Sequence, residues 1–370
     1  MRVICAPDKM RGCLEAGEAA AAIAAGVTAA GAVPVLHPLA DGGEGSRAIV
    51  QAACGGRSLT TAAVDVFGGP VRAPFTLLED STALVEAAEV VGWVDSSGAG
   101  HDVMRASSAG LAAPLLAAVE HGAKRVIVFL GGTATMDGGL GLLAALGAGL
   151  RDADGVALSG RGADLARLRA LDLEPARARL VGIELVAAVD VASPLHGPRG
   201  AAHLFGPQKG ATPEQVAALD DGLRRLDTLF GTGSLPGAGA AGGIGAALLA
   251  LGGRVQRGAE LIRGLTRFDQ ALESADLCIT AEGKVDAGSD AGKTVSAVVE
   301  ACRGAGVPCV VLGGTLTPDA QRLYRRGAAA VLSIAPGPRD LESALRHAAE
   351  DLTNTAYAAC RLATACGAIS

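Results

Sequence analysis

Carboxylates, lysines and bare backbone are grouped in this chain in a way that suits the handling of a small anion. The sequence carries 53 glycines in 370 residues, about twice the ordinary share. Asp41-Gly42-Gly43-Glu44-Gly45 sets two carboxylates beside flexible backbone after a predicted strand. α/β sheets bind ligands at such strand ends, and hard oxygen donors there suit Mg2+; the plainer alternative is a turn with a helix-capping acid. Gly131-Gly132-Thr133-Ala134-Thr135-Met136-Asp137-Gly138-Gly139 follows a strongly apolar segment, so strand, glycine loop, hydroxyls and helix form an anion-binding order. It is neither a Walker A loop nor G-x-G-x-x-G, and a tight connection would read the same way. Phe205-Gly206-Pro207-Gln208-Lys209-Gly210 holds a lysine between glycines, suited to a point-charge contact with phosphate or carboxylate, or simply an exposed turn. Pro236-Gly237-Ala238-Gly239-Ala240-Ala241-Gly242-Gly243 has almost no side chains; its backbone can lie against a nucleotide, or it can hinge two domains. Ala281-Glu282-Gly283-Lys284-Val285-Asp286 carries charge past a predicted strand, and Gly292-Lys293-Thr294 opens a helix with a cation. A lysine there opposes the helix dipole, which points to an anion.

Other chemistries find no support. G-x-S-x-G is absent, and the six histidines make neither H-x-x-x-H nor H-E-x-x-H; His196 and His203 read as structural. The eight cysteines, at 5, 13, 54, 278, 302, 309, 360 and 366, form no C-x-x-C pair. Without zinc-ligand spacing they are expected to be free thiols, packed as small hydrophobes in a reducing cytoplasm.

The elements that must position these groups alternate. Arg2 to Ala6 reads as a buried strand, Leu14 to Thr28 as a helix with Glu15 and Glu18 at its start, and Val33 to Leu36 as a strand. The same rhythm returns late: strands at 277–280, 308–312 and 330–334, helices at 293–303 and 318–326, and a closing helix or helix pair over 341–363. Between Thr60 and Glu89 short β-like runs are separated by turn residues, then a helix near 111–121 precedes the strand 125–130. This predicts an α/β chain in which residues 1–56 and 235–370 form one parallel-sheet domain and 57–234 an inserted α/β domain.

Composition excludes several classes. A net charge of −6 and nine aromatic residues argue against a nucleic-acid surface. No apolar run approaches the ~20 residues that span a bilayer, and Arg2 and Asp8 charge the amino terminus too early for a cleavable leader. The expectation is a cytoplasmic protein.

Taken in order, the clusters resemble the bacterial glycerate kinase family, the type that opens with A-P-D-S-F-K-G-S. Here that motif reads Ala6-Pro7-Asp8-Lys9-Met10-Arg11-Gly12-Cys13, followed by Pro38 to Gly45, the Gly131 loop, Phe205 to Ala211 and Pro236 to Gly243, nearly colinear to about residue 335. The resemblance implies a flavodoxin-like (Rossmann-like) domain with a second α/β domain inserted, a cleft between them, and an enzyme that uses ATP and Mg2+ to phosphorylate D-glycerate on the 2-hydroxyl, with a homodimer among the assemblies it allows.

On that resemblance Gly131, Gly132, Thr133, Gly237, Gly239, Gly242 and Lys293 are expected to hold nucleotide, with Lys209 neutralising phosphate. Asp41, Glu44, Glu282 and Asp286 would hold Mg2+, while Lys9 and Arg11, with Asp41, would bind the acceptor. Asp190 is the first general-base candidate and Asp8 the second. Departures from the family pattern fall at Lys9, Arg11, Met136, Ala281 and Pro114, which keeps open a kinase for another small hydroxy acid, or a catalytically weak nucleotide- or metabolite-binding relative.

Overall fold

The computed structural model describes residues 1–93, 102–286, 294–365 and 367. Its strands, in chain order, are β1 (Arg2–Cys5), β2 (Val33–Leu36), β3 (Arg57–Val64), β4 (Pro70–Leu77), β5 (Thr82–Glu86), β6 (Arg125–Phe129), β7 (Gly149–Arg151), β8 (Ala170–Asp172), β9 (Glu184–Val189), β10 (Arg254–Arg257), β11 (Leu277–Val285), β12 (Cys309–Leu316) and β13 (Ala330–Ser333). The chain divides into two compact units, the first from residues 1–41, 48–53 and 259–370, the second from 42–47 and 54–258. No helix of the described residues is long and apolar enough to cross a membrane.

In the first unit β13-β12-β11-β1-β2 form an all-parallel sheet. Counted within the unit this is the order 5-4-3-1-2, the flavodoxin-like arrangement. β1 lies inside it, between β11 and β2, with Val3, Ile4 and Cys5 fully buried, because a parallel strand covered on both faces is apolar without alternation. β2 is the edge strand: Val33 and Leu36 are largely exposed and Pro34, which has no N–H, is tolerated there. β11 continues five residues beyond the predicted Thr280, since Lys284 and Val285 still pair with Thr315 and Leu316 of β12. Glu282 and Lys284 therefore sit on a strand rather than in a loop.

The helix Ala16–Ala29 packs along the closing helix Ala348–Ala365. Glu18 accepts the Glu15 amide at 2.9 Å and caps its first turn. Near its end Gly26 admits the neighbouring backbone so closely that a Cβ would lie 2.2 Å from the Thr353 carbonyl oxygen.

The second unit holds a mixed sheet, β10-β9-β6-β5-β4-β3, antiparallel from β3 to β5 and parallel from β5 to β10. Its core is Ala, Val and Leu with few larger side chains such as Phe75 and Met136. Residues 235–258 belong here rather than with the chain ends. β10 pairs with β9, and the helix Ile244–Ala250 is buried in the same core.

Intrinsic propensity favours Ala over Gly in a helix by about 1 kcal/mol, so Gly17 and Gly26 form a paired test. Gly17→Ala, with nothing within 4 Å of the new Cβ, is expected to leave stability unchanged or raise it. Gly26→Ala is expected to destabilise by about 1–3 kcal/mol, the range for overpacking. Denaturant unfolding of both variants checks this, and equal effects would contradict the helix packing described.

Candidate active site

The first unit's sheet has its topological switch point between β1 and β11, where ligands of doubly wound folds bind beyond the carboxyl ends of the strands. Asp8 stands just past β1 at that point. Its amide donates to the Ala281 carbonyl at 2.9 Å. Its Oδ1 accepts the Lys9 amide at 2.7 Å, and its Oδ2 accepts the Thr294 hydroxyl at 2.6 Å. Burial pushes the Asp8 carboxyl from 3.8 up to about 7; the Asp41 charge adds to this and Glu282 adds less, while the bonds from Thr294 and Lys9 oppose it. The buried Asp8 carboxyl thus feels the charges of two further carboxylates, Asp41 and Glu282.

Close by in the chain, a cavity of about 350 Å³ is walled by Lys9, Arg11, Glu282, Lys284, Asp286 and Asp351, among others, a size typical of small-molecule sites. Lys284 Nζ lies 3.2 Å from Asp286 Oδ2. Asp8 is not on this wall; Lys9, whose amide it holds, is. The cavity offers both cations for an anionic ligand and carboxylates for a metal.

In the second unit β5, β6 and β9 are parallel, so their carboxyl ends place Glu86, the loop Leu130–Gly139 and Asp190 along one edge. Glu86 is buried and accepts the Gly45 and Arg47 amides at 2.9 and 3.1 Å, where the helix Ser46–Cys54 begins. A carboxylate suits those unpaired first-turn donors, although burial raises its pKa. Arg47 grips Glu89 through two 2.6 Å bonds, the bidentate geometry that fixes a side chain. This pins the run that carries Glu44, which rests on Gly132. There φ is +74°, and a Cβ would lie 2.7 Å from Glu44 Cγ.

The loop itself is knotted by Asp137, fully buried, which accepts the Ser108 amide and hydroxyl at 2.6 and 2.7 Å and the Gly139 and Gly141 amides at 3.0 and 3.2 Å. Lys209 is buried as well. Its Nζ donates to the Thr135 carbonyl at 2.8 Å and to Thr133 Oγ1 at 3.4 Å; burial lowers its pKa to about 8, opposed by the Asp137 charge. Lys209 is therefore not an exposed turn lysine but a buried cation beneath the glycine loop.

The structure places the remaining expected residues as follows. Asp41, Lys9, Arg11, Glu282 and Asp286 belong to the first unit; Glu44, Asp190, Gly131, Gly132 and Thr133 belong to the second. Lys293 lies outside the described residues. The image of an open cradle of amides needs revision. Gly131, Ala134 and Gly138 donate to Gly42, Val91 and Gly242 carbonyls, so much of the loop is held by the protein itself. Gly237, Gly239 and Gly242 are buried. Gly242 has φ +66° and leaves 2.1 Å between a Cβ and the Thr135 carbonyl, so the bareness of that run serves backbone packing. Met136 and Pro114 are buried too, and Met136 is part of the core; the side chains at these departures meet packing, not a cavity. His196 Nε2 lies 3.1 Å from Asp227, which also accepts the Gly233 amide, a structural role. Thr294, Glu86 and the Arg47–Glu89 pair were not foreseen. The one signal was an acid, Glu86, directly ending an apolar strand.

A profile of the Glycerate kinase family matches residues 3–364. Glycerate kinase of Bacillus subtilis (strain 168) is 36% identical over 96% of each chain. Glycerate 2-kinase of Escherichia coli (strain K12) is 33% identical over 95% of each. A crystal structure assigned as glycerate kinase 2, from Salmonella typhimurium LT2, covers 100% of both chains with a TM-score of 0.84 and 34% identity.

Because the Asp8 pKa is raised in the folded state, its contribution to stability is complete below pH 3.8 and is lost as pH rises through about 7. Denaturant unfolding between pH 4 and 8 is expected to show the wild type losing stability relative to Asp8→Asn across that window. Parallel profiles would contradict the burial of this carboxylate.

Proposed function

The chain belongs to the glycerate kinase family, and we propose that it transfers the terminal phosphoryl group of ATP to the 2-hydroxyl of D-glycerate, with Mg2+, to give 2-phosphoglycerate. The observation that carries this reading is Asp8: a buried carboxylate at the sheet's switch point, raised to about 7 and accompanied by Asp41 and Glu282.

Phosphoryl transfer asks the protein mainly for positioning and charge neutralisation. A general base works best with a pKa near the operating pH, and Asp8 meets that condition. Its ionised form accepts the proton of the attacking hydroxyl, while Thr294 and the Lys9 amide keep the carboxylate aimed. Lys9 and Arg11 take the acceptor's carboxylate, Arg11 through its planar fork. Asp41, Glu282 and Asp286 are the oxygens of the first unit assigned to Mg2+; when bound, the ion neutralises phosphate charge. Gly131, Gly132 and Thr133 are assigned to the phosphates, and Lys209 is a positioning residue that fixes this loop through Thr133 and Thr135. Gly242 packs its backbone against that loop at Thr135, while Gly237 and Gly239 pack against Val189 and Pro194. Lys293 keeps the role of phosphate contact, and Asp190, the first base candidate by resemblance, becomes the alternative to Asp8.

A second reading, a kinase for another small hydroxy acid, is favoured by the cations Lys9 and Arg11 on the cavity wall, where the family motif has Ser and Lys.

The test is ADP release from MgATP with and without D-glycerate, followed by phosphorus NMR of the product. Glycerate-dependent release and a phosphorus coupled to a single proton are the expected result. A phosphorus coupled to two protons places the group on the 3-hydroxyl. Release only with a different hydroxy acid moves the assignment to the second reading.

A further inference from the structure

Three cysteines that the phosphoryl-transfer chemistry does not use converge inside the first unit. Cys278 on β11 and Cys309 on β12 are direct register partners, and Cys302 lies on the helix Thr294–Ala305, which packs against both strands. The three Sγ atoms lie within 4.8 Å of one another, and all three residues are fully buried. The sequence spacing hides this, because the thiols come from three elements. Among the described residues no histidine or carboxylate joins the group.

We propose that Cys278, Cys302 and Cys309 form a three-sulfur binding site for a trivalent thiophilic element, with arsenous acid as the representative ligand. Three features select that class. Thiol sulfur is a soft donor, which disfavours Mg2+ and Ca2+. Zinc sites are almost always four-coordinate, and this cluster offers three ligands. Charge decides the rest: a monovalent or divalent ion on three thiolates leaves a net negative charge in an apolar interior, which is costly, whereas a trivalent centre on three thiolates is neutral.

The reaction balances without an oxidant. One As(OH)3 and three thiols give one As(S-Cys)3 and three waters, as three As–O bonds are replaced by three As–S bonds and each thiol proton leaves on a hydroxide. Sulfurs bound at about 2.3 Å to one centre stand about 3.5–4 Å apart, inside the 4.8 Å limit observed. Binding would staple β11, β12 and the helix whose first residue, Thr294, holds Asp8.

The experiment uses the full chain, kept reduced with a phosphine and given one equivalent of arsenous acid. Intact mass is expected to show one arsenic gained for three hydrogens lost, and arsenic X-ray absorption to show three sulfur neighbours and no oxygen. Cys302→Ser is expected to lose the three-sulfur spectrum and weaken binding at least about tenfold, while Cys54→Ser, at an exposed position, leaves both unchanged. An oxygen neighbour in the wild-type spectrum overturns the proposal even if Cys302→Ser does not fold. So does a three-sulfur spectrum that survives in Cys302→Ser, or a disulfide seen as two hydrogens lost without arsenic.

Discussion

The pairing of β1 with β11 places a carboxylate where burial and neighbouring charge act on it together. The Asp8 amide extends that pairing by one bond to Ala281, and the side chain is then clamped between the Thr294 hydroxyl and the Lys9 amide. A lone buried carboxylate is expensive unless its oxygens are satisfied; two hydrogen bonds meet that need without neutralising it. What remains is an acid poised near neutrality rather than a permanently charged or permanently protonated one. Ala281, one of the departures from the family pattern, supplies a backbone carbonyl here, so the substitution leaves the clamp intact.

The second unit solves a related problem differently. Its glycine loop is made rigid by buried ionisable groups on both sides: Asp137 collects amides and the Ser108 hydroxyl, and Lys209 collects the Thr135 carbonyl. Glycine is needed because backbone meets backbone, as at Gly242 against Thr135. Glu86 does the same for the run bearing Glu44 by holding the first amides of a helix. Polar networks of this kind specify one geometry because each member, left alone, would be a buried unsatisfied group.

Much of the first unit was legible in the sequence. Continuous apolar strands, Pro34 on an edge strand and Glu15–Glu18 at a helix start are local signals, and the parallel order follows from strand–helix alternation. The residues 235–258 were misplaced because a glycine-rich run looks like a hinge; its packing partners, Pro194 and Thr135, are remote in sequence. The same reason hid the depth of Lys209, the clamp from Thr294 to Asp8, and the meeting of Cys278, Cys302 and Cys309. Each joins residues separated by a crossover, and residue type alone does not tell an exposed lysine from a buried one. Met136 reads as chemical because it departs from the family pattern, yet its side chain fills the core.

The central claim is that Asp8, rather than Asp190, accepts the hydroxyl proton. The pH dependence of kcat/KM, measured for the wild type, Asp8→Asn and Asp190→Asn, tests it most directly. The account predicts a wild-type acid limb displaced above the ordinary carboxylate range, because burial raises the Asp8 pKa. It also predicts a loss of about 10²–10⁴-fold with disappearance of that limb in Asp8→Asn, and a retained limb in Asp190→Asn. A wild-type rate and limb in Asp8→Asn, or a limb abolished only in Asp190→Asn, would contradict it.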